Sequence, residues 1–348
     1  MGAKRLLITR FSAMGDVAMC VPVVWSLAEN FKDLEIIFMS RKNFAPMFSM
    51  CPCNVKFWGV DLKKDYKGIA GLNRLYKEIR KMHVDAYADF HDVLRTKYLR
   101  FRSLFSSIKT LKIDKGRADK KRLVKKGADK CGTLPTTIER YADVLRKLGY
   151  DFQIDFNSIF ADNTLPQDVA AVSGEKNGVW VGVAPFAAHQ GKILPMEKTE
   201  ALVESLSEKG VKVFLFGAGE KEKAILEAWQ NQYPNTVNTA GRLGGLLNEL
   251  LLISNLDFMV SMDSANMHLA SLVGTRVISV WGATHPKAGF LGYGQQESDI
   301  VQVQLPCRPC SIYGNKPCRL AEKYKCLNDI DIHAIVDKIC QSAQKSSQ

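Results

Sequence analysis

Two series of short β-branched runs, each run followed by an amphipathic stretch, constrain this chain more than any other feature. Strand-like runs that alternate with helix-length periodic segments read as parallel α/β architecture, because parallel neighbours need a crossover helix to join them. In the first series the strands fall at Arg5–Thr9, Glu35–Met39, Val55–Trp58, Ala86–Phe90 and Ile108–Lys112, with helices at Val17–Asn30, Tyr66–Met82 and Pro135–Leu148. The second series has strands at Gly178–Ala184, Val211–Phe216, Asp257–Ser261 and Arg276–Val280, and helices at Glu197–Lys209, Lys221–Tyr233, Leu246–Ile253 and Ser264–Val273. Between them Asp151–Lys176 is polar and irregular, with Pro166, Ser173 and Gly174, and reads as a linker. The pattern predicts an α/β fold of two doubly wound, Rossmann-like domains facing across a cleft. Their expected bounds are 1–160 and 175–330, with a last helix at Ile330–Gln341 and a tail completing 331–348.

A length of 348 residues suits two domains, and 46% hydrophobic with 24% charged residues excludes disordered and coiled-coil classes. No apolar run reaches the ~18 residues of a membrane-spanning helix. The longest, Val17–Ala28, contains Pro22. Met1 to Leu6 leads into the first strand without an apolar signal segment, so the expected location is cytoplasmic or on the cytosolic side of a membrane. The net charge of +12 is concentrated: 95–126 holds 13 lysines and arginines against two acids, Asp114 and Asp119. Such a patch implies an acidic partner, whether nucleic acid, anionic lipid or a phosphorylated substrate, or else a solvated face. Lys115–Lys126 has few apolar residues to fold it and reads as mobile. Five of the nine cysteines are scattered. Cys307, Cys310, Cys318 and Cys326 form a C-x2-C-x7-C-x7-C cluster, whose second pair lacks the close spacing of the strong zinc signatures. No metal is assigned to it; unpaired or redox-dependent thiols and a structural zinc both stay open.

Ligands of open α/β sheets collect beyond the carboxyl ends of the strands, so loops there carry the chemistry. Thr9 to Asp16 follows the first strand, with Gly15 permitting a turn and Asp16 opening the helix. Asp16 is either an N-cap or a general base. The loop is not G-x-G-x-x-G, so it is no dinucleotide fingerprint. Ala184 to Pro195 offers small residues, Ala187 and Ala188, and a compact cation, Lys192, suited to phosphate. Ser261 to His268 opens a helix whose N-terminal amides form an anion site; Asp263 and Ser264 can also be plain caps, and His268 a satisfied, half-buried histidine.

Four motifs in order and spacing resemble the ADP-heptose:lipopolysaccharide heptosyltransferases of glycosyltransferase family 9, over roughly Lys4 to Ile330. They are Arg10-Phe11-Ser12-Ala13-Met14-Gly15-Asp16, Pro185 to Pro195 with Lys192, the stretch from Ala240-Gly241 to Asp263–His268, and Trp281-Gly282-Ala283-Thr284-His285-Pro286. Three departures stand out: Ala265-Asn266 in place of Gly-Pro, Ala187-Ala188 where hydroxyl residues occur, and Leu194 where tryptophan is common. The resemblance implies the GT-B fold, an N-terminal acceptor domain and a C-terminal donor domain, and inverting transfer of heptose from ADP-heptose to a lipid A/inner-core acceptor. Asp16 is then the base and Lys192 the phosphate cation. Donor contacts are expected from Ser12, Ala187, Ala188, Glu220, Glu222, Asp263, Ser264, Ala265, Asn266, Met267 and His268. Acceptor contacts are expected from Arg10, Arg95, Lys97 and Arg100. No cofactor and no nucleic-acid partner are expected. The partners are an ADP-sugar, a phosphorylated lipid-linked saccharide and, peripherally, the anionic inner membrane. The alternatives are a transferase using another nucleotide sugar on an envelope glycan, or a non-enzymatic anion or nucleic-acid binder using 95–126.

Overall fold

In a computed structural model describing residues 5–346, chain contacts define two units, Met1–Arg117 with Pro135–Ile159, and Ala118–Leu134 with Phe160–Gln348. The first runs β1 (Arg5–Thr9), α1 (Met14–Ala18), α2 (Val21–Asn30), β2 (Glu35–Arg41), β3 (Val55–Val60), α3 (Gly68–Lys81), β4 (Ala86–Asp89), α4 (Leu94–Ser103) and β5 (Lys109–Lys112). The chain then forms α5 (Arg117–Lys126), which lies almost wholly in the second unit, and returns as α6 (Thr137–Leu148). All pairings of the five-stranded sheet are parallel, in the order β3-β2-β1-β4-β5. β1 is central and buried because Leu6, Leu7 and Ile8 leave no polar face, as parallel strands covered on both sides require. Leu75, Ile79, Tyr87 and Leu99 bring α3 and α4 onto the sheet.

The second unit continues with α7 (Gln167–Ser173), β6 (Trp180–Ala184), α8 (Met196–Glu208), β7 (Lys212–Leu215), α9 (Glu220–Gln232), β8 (Thr236–Asn238), α10 (Leu246–Ser254) and β9 (Phe258–Met262). α11 (Ala265–Leu272), β10 (Arg276–Trp281), β11 (Ile300–Gln302), α12 (Lys325–Asn328) and α13 (Ile332–Ser346) complete it. Its six strands are parallel in the order β11-β10-β9-β6-β7-β8. α13 packs beside α8 through Ile335, Val336 and Ile339, so the C-terminal helix belongs to this core. Residues 347–348 of the expected tail and residues 1–4 ahead of the first strand lie outside the described residues.

Three sequence expectations are corrected here. The helix expected over Val17–Asn30 is two, α1 and α2, with the break falling just before Pro22, which has no amide to continue a helical ladder. The segment expected as an irregular linker contains α7, which packs against α10. The basic tract expected to be mobile is the helix α5. Leu123 is fully buried with Ala128, Leu134 and Ala288, and the Lys120 ammonium sits 4.2 Å from the centre of the Phe290 ring. Lysine stems can line apolar surface, so a tract with few apolar residues still folds when a neighbouring surface is apolar. This contact also places 118–134 in the second unit, where the sequence reading runs the first domain unbroken to 160.

Candidate active site

Each sheet reverses its chain order between two neighbouring strands, β1 and β4 in the first, β6 and β9 in the second. Loops leaving the carboxyl ends of such a pair part to opposite faces and open a crevice. The expected base lies at the first of these points and the expected phosphate cation at the second.

In the first unit the chain leaves β1 through Arg10 to Ala13 and enters α1. Asp16 is not the cap residue. Ala13 occupies that position, and Asp16 on the first turn reaches back, its Oδ2 accepting from the Ala13 amide at 2.9 Å. The buried Arg10 places Nη2 2.6 Å from the same Oδ2 and donates through Nη1 to the Phe90 carbonyl at 2.8 Å. Two further donors, the Tyr141 hydroxyl at 3.3 Å and the Cys20 thiol at 3.2 Å, fix the Asp16 carbonyl. The carboxylate is thus oriented through one oxygen, and Oδ1 has no protein partner among the described residues. Arg10, expected on the acceptor, is buried and spends both terminal nitrogens inside the unit, Nη2 on Asp16 and Nη1 on the Phe90 carbonyl. Ser12 lies half-buried in the same turn.

From β4 comes a residue the sequence reading passes over. The His91 Nδ1 accepts from the Phe11 amide at 3.4 Å, and burial, reinforced by the Arg10 and Lys115 charges, pushes its pKa down to about 3. It is a neutral imidazole beside the Arg10–Asp16 pair. Burial and the charges of Arg10 and Arg117 also lower the pKa of Lys115, whose ammonium donates to the Asp92 carbonyl at 3.4 Å. The strand-end rule applied to Ala86–Phe90 points straight at His91, the first polar residue beyond it. Arg100, expected on the acceptor, is engaged within the unit. Its Nε lies 2.8 Å from Asp89 and its Nη2 2.9 Å from Asp92, both buried carboxylates, so it is held inside the unit as their counter-ion. Arg95 and Lys97 are exposed on α4 and make no polar contact with the Arg10–Asp16 turn among the described residues.

In the second unit the loop after β6 makes a single turn at Gln190–Lys192, clamped where the Ala283 amide donates to the Gly191 carbonyl at 2.8 Å. The Lys192 ammonium lies 2.9 Å from Asp263 Oδ2, with side chains 16% and 4% exposed. Gly314 lies against Lys192 so closely that a Cβ there would fall 2.7 Å from the lysine Cγ. Ser264 occupies the N-cap of α11, yet its side chain makes no capping bond and instead lies 3.3 Å from the Ser261 hydroxyl. Ser264 caps α11 by position only and Asp263 precedes the cap, so the first amides of Ala265, Asn266 and Met267 keep the anion-attracting character of a helix N-terminus. Met267 and His268 turn into the interior. Ala187 packs partly on the core and Ala188 is exposed. Lys192, Asp263 and the start of α11 are brought together at one switch point.

At the end of β7, Glu222 accepts from the Ala218 amide at 2.7 Å and so braces the Gly217–Gly219 turn, while Glu220 stands exposed at the start of α9. Glu222 therefore serves the turn before it can serve a ligand. Glu249, on the first turn of α10 behind Gly244 and Gly245, has its pKa raised by burial, a second group missed in the sequence. In the cysteine loop Arg308 is buried and donates to the carbonyls of Trp281, Gly282 and Thr284, tying down the turn after β10. All nine cysteines are unpaired thiols, and no group of three or more His, Cys, Asp or Glu side chains is arranged to hold a metal ion among the described residues.

Known proteins match both the sequence and the fold. Residues 74–320 match the family described as glycosyltransferase family 9 (heptosyltransferase). Lipopolysaccharide heptosyltransferase 3 of Escherichia coli (strain K12) is 24% identical over 286 residues, 78% of this chain and 80% of that protein. The structure of E. coli heptosyltransferase WaaC with ADP superposes with a TM-score of 0.67 at 18% identity, over 97% of this chain and 99% of that one. That of E. coli ADP-heptose lps heptosyltransferase II gives 0.71 at 15% identity, over 99% and 100%. With the family match spanning most of the chain and two switch points furnished with a carboxylate and a phosphate-suited cation, this chain belongs to glycosyltransferase family 9, the heptosyltransferases.

Proposed function

We propose that the chain transfers heptose, with inversion, from ADP-heptose to a phosphorylated, lipid-linked saccharide of the lipopolysaccharide inner core, working in the cytoplasm at the face of the inner membrane. One observation carries the reading: the Asp16 carboxylate is oriented through Oδ2 by Arg10 and the Ala13 amide, leaving Oδ1 to meet a substrate hydroxyl. The acceptor oxygen attacks the anomeric carbon, its proton passes to Asp16, and the bond to the β-phosphate breaks with its electron pair leaving on ADP. Lys192 and the α11 amides receive that charge, an arrangement of fixed donors that needs no reorganisation as the charge develops. Asp263 holds the ammonium in place. Glu249 and Glu220 are the carboxylates available to the ribose, since Glu222 is engaged. Neutral His91 and Lys115 border the base and are acceptor contacts in this reading, in place of Arg10 and Arg100.

The test is Asp16→Asn assayed with ADP-heptose and a soluble inner-core acceptor. Asparagine still accepts from the Ala13 amide but takes no proton, so kcat is expected to fall by roughly 10²–10⁴ while ADP affinity stays unchanged. Near wild-type kcat in that variant, with saturating substrates, removes Asp16 from the reaction.

A further inference from the structure

α3 and α4 lie side by side in the first unit, joined where the Tyr76 hydroxyl donates to the Arg102 carbonyl at 2.8 Å and the Tyr98 hydroxyl to Asn73 Oδ1 at 2.6 Å. Their inner faces fill the core, but the outer surface is unusual. Leu94, Phe101, Leu104 and Phe105 are 86%, 55%, 70% and 76% exposed, with the Phe101 and Phe105 rings edge-on at 5.5 Å. Beside them opens a cavity of about 440 Å³ lined by Tyr76, Lys77, Arg80, Lys81, Arg102 and Phe105, without an acid. α4 contains no acidic residue, and the one on α3, Glu78, accepts from the Tyr66 hydroxyl at 2.7 Å.

Four protruding apolar side chains ringed by cations cost solvation in water and fit an interface where hydrocarbon and anionic headgroups meet. We infer that the α3–α4 face docks on an anionic lipid bilayer, with Leu94, Phe101, Leu104 and Phe105 entering the headgroup–acyl boundary and the Lys77–Arg80–Lys81 cavity taking lipid phosphate. A nucleic acid has no use for Leu94 and Leu104, which cannot stack on bases as aromatic rings do. A second copy of the same face would set its cations against their own kind. The purpose of the contact rests on the proposed reading, in which the acceptor is lipid-linked. The docking itself is measured without donor or acceptor. Within the basic segment 95–126 this placement sets the membrane contact at α4 and not at α5, which packs Leu123 and Lys120 inward on the second unit.

The experiment is sedimentation of the full chain with phosphatidylglycerol–phosphatidylcholine vesicles, against phosphatidylcholine alone, across a salt series. The wild type is expected to bind the anionic vesicles, less so as salt rises. Leu104→Ser with Phe105→Ser should weaken binding at least ~10-fold at every salt concentration, since two exposed side chains lose their burial in the boundary. Lys77→Ser with Arg80→Ser and Lys81→Ser should weaken it and flatten the salt dependence. Lys121→Ser with Arg122→Ser, Lys125→Ser and Lys126→Ser should leave it unchanged. All the substituted side chains are exposed, so melting temperatures should match the wild type, and turnover with a soluble acceptor should be retained. Equal vesicle binding by the α3–α4 variants, loss of it in the α5 variant alone, or a wild-type dimer that the Leu104–Phe105 variant splits, each overturns the proposal. Failure of transfer from ADP-heptose, with vesicle binding intact, counts against the proposed reaction only.

Discussion

Replacing Lys192 by alanine separates two things that the lysine does. Its ammonium is 2.9 Å from Asp263, whose side chain is 4% exposed, so the variant leaves a buried carboxylate without its counter-ion. Breaking a buried pair costs about 3–5 kcal/mol, and the low end applies because Lys192 keeps 16% of its side-chain surface in water. In a domain of this size ~3 kcal/mol corresponds to a fall in Tm of roughly 6–12 °C. The lost charge-assisted contact to phosphate is worth a further ~1.5–3 kcal/mol of ligand binding, or about 10- to 150-fold in the Kd for ADP. Differential scanning fluorimetry reads the first effect and calorimetric titration of ADP the second. Adding Asp263→Asn to Lys192→Ala removes the orphaned charge, so the double variant should recover much of the Tm while ADP binding stays weak. An ADP affinity within twofold of wild type in Lys192→Ala refutes the phosphate role, and an unchanged Tm refutes the buried pair.

Two further expectations follow from the first unit and the turn after β10. Arg100→Ala leaves the buried Asp89 without its counter-ion, while Asp92 keeps Arg117 at 3.4 Å, and should lower stability by about 3 kcal/mol, read by urea titration, whereas an acceptor role alone would raise KM at unchanged stability. His91 and His285 have pKa values pushed down by burial to about 3 and about 4, so the unfolded chain takes up protons below its ordinary value near 6.5 while the folded chain does not. Stability should therefore be full at neutral pH and decline as pH falls from about 6.5 toward 4, by ~2 kcal/mol per histidine at pH 5. His91→Gln should shallow that slope, and an acid profile identical to wild type would show that His91 is not held neutral.

Most of the strands and the two chemistry-bearing turns are legible in the sequence because β-branched runs and strand-end loops are local signals. Lys192 and Asp16 stand out for that reason. What the sequence leaves hidden depends on long-range contacts. Arg10 looks like a free cation until pairing of β1 with β4 brings Phe90 to it, and Arg100 until the turn between β4 and α4 folds it back on Asp89 and Asp92. α4 and α5 have too few apolar residues for a helical period to show, and each is stabilised by a surface distant in sequence: Asn73 and Tyr76 for α4, Phe290 and Ala288 for α5. His91 was within reach of the strand-end rule, but a histidine next to an aspartate carries no pattern of its own.

The excursion of 118–134 has a consequence for anyone who would take this enzyme apart. Neither unit is a single length of chain: the polypeptide crosses from one to the other after 117, after 134 and after 159. A fragment cut near 160 would carry α5 with Leu123, Ala128 and Leu134 stripped of Ala288, and the complementary fragment would expose Phe290 and Ile312. Swapping halves between relatives at the obvious mid-chain point would therefore cut through a packed cluster. A chimera that keeps residues 118–134 from the same parent as the C-terminal unit preserves it, which makes the unit of recombination here a discontinuous one.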